Sequence, residues 1–228
     1  MIRGVSIPTP FRVGDVNAYL VEDDPLTLFD VGPNSARSYV ALEAGLATLG
    51  HRIEALERIV ITHQHADHLG LVGIVAERSG AEVCALDVFA PVVEDFASYA
   101  DRNDRLAQAV MRRHGVRDDV VKVLAAVTRA HRGWGGSAPV TRRLRDGGEL
   151  GFASRSFEVH HRPGHSPSDT ILFDPASAEL IAGDHLIKNI SSNPASASGF
   201  RSTTIWPRDV SSKNPSWCWY ASRNVFQG

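Results

Sequence analysis

Three histidines and an aspartate stand within six residues, His63, His65, Asp67 and His68, directly behind the short β-branched run Arg58 to Thr62. A continuous apolar run of that length predicts a strand buried on both faces. The polar cluster therefore begins where a buried strand ends. The grouping of histidine continues further on, with His160, His161, His165 and His185 falling at or near the ends of later strand-like segments.

The rest of the chain supplies the frame around that cluster. Val16 to Val21 alternates, Asp23, Asp24 and Pro25 turn the chain, and Leu26 to Val31 runs as a second apolar segment, which predicts a strand hairpin. Ser35 is placed to cap a helix that carries Leu42, Leu46 and Leu49 on one face and stops at Gly50. Leu69 to Ser79 reads as helix ended by Gly80, and Ala81 to Leu86 as another strand. From Asp87 to Trp134 the sequence is helix-forming and predicts two or three helices, with Val120, Leu124 and Val127 as an apolar stripe. Strand-like segments resume around Val140 to Leu144, Ser156 to His161, Thr170 to Phe173 and Glu179 to Ala182. No solenoid repeat is present, so the pattern is strands with covering helices and one helical insertion.

Composition removes several classes of protein. With 228 residues, 43% hydrophobic and 22% charged, the chain buries a core without disulfides, which excludes disorder and small stapled scaffolds. A net charge of -2 leaves no broad basic field, so a small-molecule substrate is expected and a nucleic-acid partner is not. Cys84 and Cys218 form no zinc-type pair, and Cys84 sits in an apolar run as a buried free thiol. Neither a bilayer-length apolar stretch nor a signal-peptide core is seen, which gives the expectation of a cytoplasmic protein without a membrane partner.

Neutral imidazoles together with a carboxylate are the donors a borderline divalent cation such as zinc prefers; manganese and iron suit the same set. A loop reading HxHxDH can aim alternate side chains at one point and the next pair at a second, which suits two metal ions. A metal with an open position lowers the pKa of bound water to near neutrality and so supplies a hydroxide nucleophile.

Taken with Asn17-Ala18-Tyr19-Leu20, Phe29-Asp30-Val31-Gly32, Pro163-Gly164-His165-Ser166 and Ala182-Gly183-Asp184-His185, the cluster resembles the metallo-β-lactamase superfamily of hydrolases, in the order that family shows. The resemblance runs over roughly residues 12 to 190 and implies an α+β fold, a four-layer αββα sandwich with the site at one sheet edge. It implies His63, His65 and His165 as ligands of one metal, Asp67 and His68 as ligands of the second, Asp184 as the bridging carboxylate, and Asp67 as the catalytic residue that orients the nucleophile. Asp30 reads either as a turn-forming aspartate or as an acceptor that orients a ligand histidine. His160, His161 and His185 read as structural.

The pattern departs from the family in one respect, since the last histidine is His185 and the family supplies one more from a late segment. A second metal site of lower affinity is the expected consequence. Residues 1–190 are read as the metallo-β-lactamase-like domain with its insertion at about 87–134. Residues 191–228, with nine serines and Trp206, Trp217 and Trp219, are read as an atypical tail, divergent, truncated or frame-shifted, with no strand periodicity. The insertion or the tail is where an oligomer contact is expected. Aspartate at 184, where one group of zinc β-lactamases has cysteine, favours a glyoxalase II-like or lactonase-like hydrolase of esters, thioesters or lactones. A β-lactam hydrolase, a nuclease or phosphodiesterase, and a degenerate non-catalytic binding protein are the alternatives. Arg129, Arg132, Arg142, Arg143 and Arg145 are candidates for holding an anionic substrate tail.

Overall fold

The computed structural model describes residues 1–11 and 14–187 and the backbone of 218–221. The opening strand β1 (Ile2–Ile7) pairs antiparallel with β2 (Val16–Val21), which pairs antiparallel with β3 (Thr27–Phe29). The chain then crosses over through α1 (Ala36–Thr48) into β4 (Arg58–Ile61), parallel to β3. The Ser35 side chain accepts from the Ser38 amide and caps α1, as its position predicts. Gly45 lets that helix lie directly on β1, because a Cβ there would overlap Val5.

Behind β4 come α2 (Ala66–Leu69) and α3 (Val72–Ser79), ended by Gly80 in the left-handed conformation, then β5 (Glu82–Leu86), parallel to β4. The single helix expected over Leu69 to Ser79 is thus two, and the first begins inside the polar cluster. The insertion consists of α4 (Ala90–Glu94), α5 (Phe96–Arg113) and α6 (Asp118–His131). It leads into β6 (Arg142–Leu144), parallel to β5 and the sixth strand of the sheet. All four residues of β4 are buried, as its apolar run requires.

A second sheet has the order β11-β10-β9-β8-β7, formed by β7 (Glu149–Gly151), β8 (Ser156–His161), β9 (Thr170–Asp174), β10 (Glu179–Gly183) and β11 (Cys218–Ala221). The two sheets share one core: Phe29 of β3 and Phe157 of β8 stand 6.1 Å apart between ring centroids. Arg58 crosses the seam, donating to the Gly151 carbonyl at 3.1 Å from beside the Phe152 ring. Among the described residues no helix follows β6, so the expected second helical layer of the sandwich is not among them.

Ile2–Ile7, on which the sequence offers no reading, is held as a strand by its pairing with β2. Two local expectations are corrected. The stripe Val120, Leu124 and Val127 is 40%, 44% and 50% exposed, while Val121 and Ala125 are the buried positions, because α6 packs through those two residues. Within 191–228 the segment Cys218–Ala221 is a strand after all, pairing parallel with β10 and placing Cys218 opposite Glu179. Trp206 and Trp217 lie outside the described residues. Among the described residues no helix is long and apolar enough to cross a membrane.

Candidate metal centre

The residues of the HxHxDH segment leave β4 in two directions. His63 and His65 lie in the loop before α2, and Asp67 and His68 lie on α2, both buried. His165 comes from the loop between β8 and β9, and Asp184 directly follows β10. Strand ends from both sheets thus converge on one point.

His63 Nε2 lies 3.1 Å from His65 Nδ1, and His165 Nε2 lies 2.9 Å from the same atom. Four-coordinate zinc with bonds of about 2.0–2.1 Å sets its nitrogens roughly 3.3–3.4 Å apart, so this triangle is close to a ligand face. These three side chains form a group that can hold a metal ion. Asp184 stands between this triangle and His68, with Oδ2 3.6 Å from His165 Nε2 and Oδ1 3.5 Å from His68 Nε2. Its two oxygens therefore face the two halves of the site. His68 Nε2 is buried and has no hydrogen-bond partner among the described residues, an orphan that a cation would satisfy.

The histidine tautomers are set from behind. Asp30, held at a positive φ of 58°, accepts the Thr62 amide at 2.9 Å, the Thr62 hydroxyl at 2.8 Å and His68 Nδ1–H at 2.8 Å. Having given its proton to Asp30, the Thr62 hydroxyl can only accept from His63 Nδ1–H, 3.0 Å away. His63 is thereby left with an Nε2 lone pair turned toward the centre, and His68 directs its Nε2 to the same place. Asp30 is both the turn aspartate and the orienting acceptor. Its grouping with His63 and His68 is a hydrogen-bond relay, since its carboxylate is taken up by these donors.

Electrostatics separates the histidines. Burial, reinforced by the neighbouring imidazoles, holds His63 well below the usual range and brings His65 to about 4, which keeps both neutral and ready to bind metal. At His68 burial also opposes the charged form, but Asp184, Asp30 and Asp67 together outweigh it and raise the pKa well above normal.

The other histidines are held by the protein itself. His160 contacts Glu158 at 3.2 Å and Arg162 at 3.1 Å, His161 donates to the Pro167 carbonyl at 2.8 Å, and His185 Nδ1 lies 3.2 Å from Asp169. Of the arginines considered for a substrate tail, Arg132 is bound by Asp101 and Asp104, Arg142 pairs with Glu82 at 3.5 Å, and Arg143 pairs with Glu94 at 2.9 Å. Thr62, Gln64 and Ser168 went unread in the sequence, because their partners are 32 and 104 residues away and no local spacing announces them.

With two packed sheets and a histidine-aspartate centre at their edge, the comparisons point one way. Residues 11–204 match the metallo-beta-lactamase superfamily, and the chain belongs to that family. It is 33% identical over 194 residues to the "Probable metallo-hydrolase YqjP" of Bacillus subtilis (strain 168), covering 85% of this chain and 59% of that protein. Among solved structures, a metallo-beta-lactamase family protein from Thermus thermophilus superposes with a TM-score of 0.67 at 27% identity, over 85% of this chain and 62% of that one. A beta-lactamase domain protein from Burkholderia ambifaria gives 0.62 at 24% identity, over 83% and 55% of the two chains, and supports the fold alone. The chain spans about three fifths of the length of these relatives.

Proposed function

We propose that the protein is a dinuclear metal-dependent hydrolase of carboxylic esters, thioesters or lactones. In this reading His63, His65 and His165 would hold one metal, Asp67 and His68 would hold the second, and Asp184, between the two sets, would serve both. Zinc is the metal we assign by default, and the second site is the weaker one. The observation that carries the reading is the placement of Asp184, one oxygen toward His165 and the other toward His68.

Bound metal supplies Lewis-acid polarisation of the substrate carbonyl and a water acidified to near neutrality. The residues of the chain do the rest. Asp30 and Thr62 fix which nitrogen of His63 and His68 faces inward. Asp67, buried at the start of α2, orients the attacking water and accepts its proton. The burial of His63 and His68 keeps bulk water from competing for the ligand atoms. Residues 1–190 form the catalytic unit in this reading, with the insertion at about 87–134 as a wall of the substrate pocket. The substrate is a small molecule and the setting cytoplasmic.

The test is elemental analysis of protein purified without added metal or chelator, followed by assay of 4-nitrophenyl acetate, an acyl thioester and a simple lactone. About two metals per chain and turnover that rises with metal occupancy are expected. A fully loaded protein inert toward all three would remove the reading.

A further inference from the structure

We infer that Gln64, the residue between His63 and His65, is a positioning residue that holds the two loops of the histidine triangle at a fixed spacing and acts on the metal only through them. The triangle is built from two separate loops, His63 and His65 behind β4 and His165 between β8 and β9. An error of a few tenths of an ångström between those loops would pull His165 away from His65, so something must set their distance.

The connection nearest the ligands is Gln64 to Ser168. The Gln64 backbone amide donates to Ser168 Oγ at 3.1 Å, and the Ser168 hydroxyl donates back to the Gln64 side-chain carbonyl. Lower down, the Thr170 amide donates to the Thr62 carbonyl at 3.1 Å, so the two loops are tied on both sides of His63. Ser168 is itself braced within its loop. Its amide donates to Ser166 Oγ at 3.3 Å, and Ser166 donates through both its amide and its hydroxyl to Asp169 Oδ1. Asp169 Oδ2 faces His185, the neighbour of Asp184.

The four polar side chains of this chain of bonds are 7% exposed at Gln64, 3% at Ser168, 2% at Ser166 and 2% at Asp169. Buried polar groups in a satisfied network rigidify what they join. One residue, through its amide and its side chain, therefore links both ligand loops.

This inference rests on the proposal that the triangle binds metal, and the test separates the two. Zinc dissociation constants are measured by chelator competition for wild type, Gln64→Leu, Ser168→Ala and the double variant, with the melting temperature of each metal-free protein. Orientation of ligands by their supporting shell is worth roughly 10- to 100-fold in metal affinity, so each single variant should weaken the tighter site by that factor. The double variant should be no weaker than the weaker single, because both changes break one connection. Lower melting temperatures with zinc affinities within about twofold of wild type would overturn the inference and leave Gln64 a purely structural residue. If Gln64→Leu does not fold, Ser168→Ala carries the test. A wild-type protein that binds no zinc overturns this inference and the proposed function together.

Discussion

Oδ2 of Asp30 lies 2.8 Å from Nδ1 of His68, and the same oxygen takes the Thr62 hydroxyl that stands 3.0 Å from Nδ1 of His63. One carboxylate thus governs a histidine from each half of the site. Asp30→Asn puts an amide nitrogen or a neutral oxygen where two donors now point, and at least one of them loses its acceptor. Metal affinity should fall by roughly 10- to 100-fold at both positions together. Chelator competition read on both sites checks this, and loss confined to one site would show that the relay through Thr62 carries no influence.

Asp184 turns one oxygen toward each half of the centre. Asp184→Asn keeps its size and removes its charge. Metal content should drop from about two per chain toward one, with hydrolysis lost by at least two orders of magnitude if both metals share the work. Elemental analysis and an ester assay on the same sample give the answer, and unchanged metal content would contradict the bridging role.

Gly183 sits at a φ of 52°, and a Cβ there would come 2.7 Å from Thr62 Oγ1. Gly183→Ala therefore strains the backbone and presses on the Thr62 hydroxyl that sets the His63 tautomer. A loss of about 1–3 kcal/mol in stability is expected. Urea unfolding of the metal-free protein measures it, and metal affinity should fall in the same variant.

Burial pushes the Cys84 thiol up from 9.0 to about 12. The folded pKa exceeds the unfolded one, so the contribution to stability is complete below pH 9 and is lost as pH rises toward 12. In a Cys218→Ser background, Ellman's reagent at pH 8 should leave the native protein unlabelled and react once it is unfolded. Rapid labelling of the folded protein would place the thiol at the surface.

The family and the main strands were legible in the sequence because each rests on local order. The run Arg58 to Thr62 can only be a buried strand, and His63, His65, Asp67 and His68 follow it at a spacing few other sites use. Helix α1 announced its cap at Ser35 and its core face through Leu42 and Leu46, both fully buried. What local order could not decide was how distant segments meet. The stripe Val120, Leu124 and Val127 looks like a core face, yet Val121 and Ala125 are the residues that α6 buries, since the packing of the insertion chooses among the apolar faces of one helix. The arginines offered for a substrate tail show the same limit, because Asp101, Asp104, Glu82 and Glu94 claim three of them only once the chain is folded.

The sequence by itself determined that imidazoles and carboxylates would gather at strand ends, because donor type and strand periodicity are written residue by residue. Only the tertiary structure decided which nitrogen of each imidazole faces the centre, that Asp184 stands between His165 and His68, and that Gln64 meets Ser168. Those facts depend on distances between segments up to 116 residues apart, which packing of the two sheets fixes and no local pattern encodes.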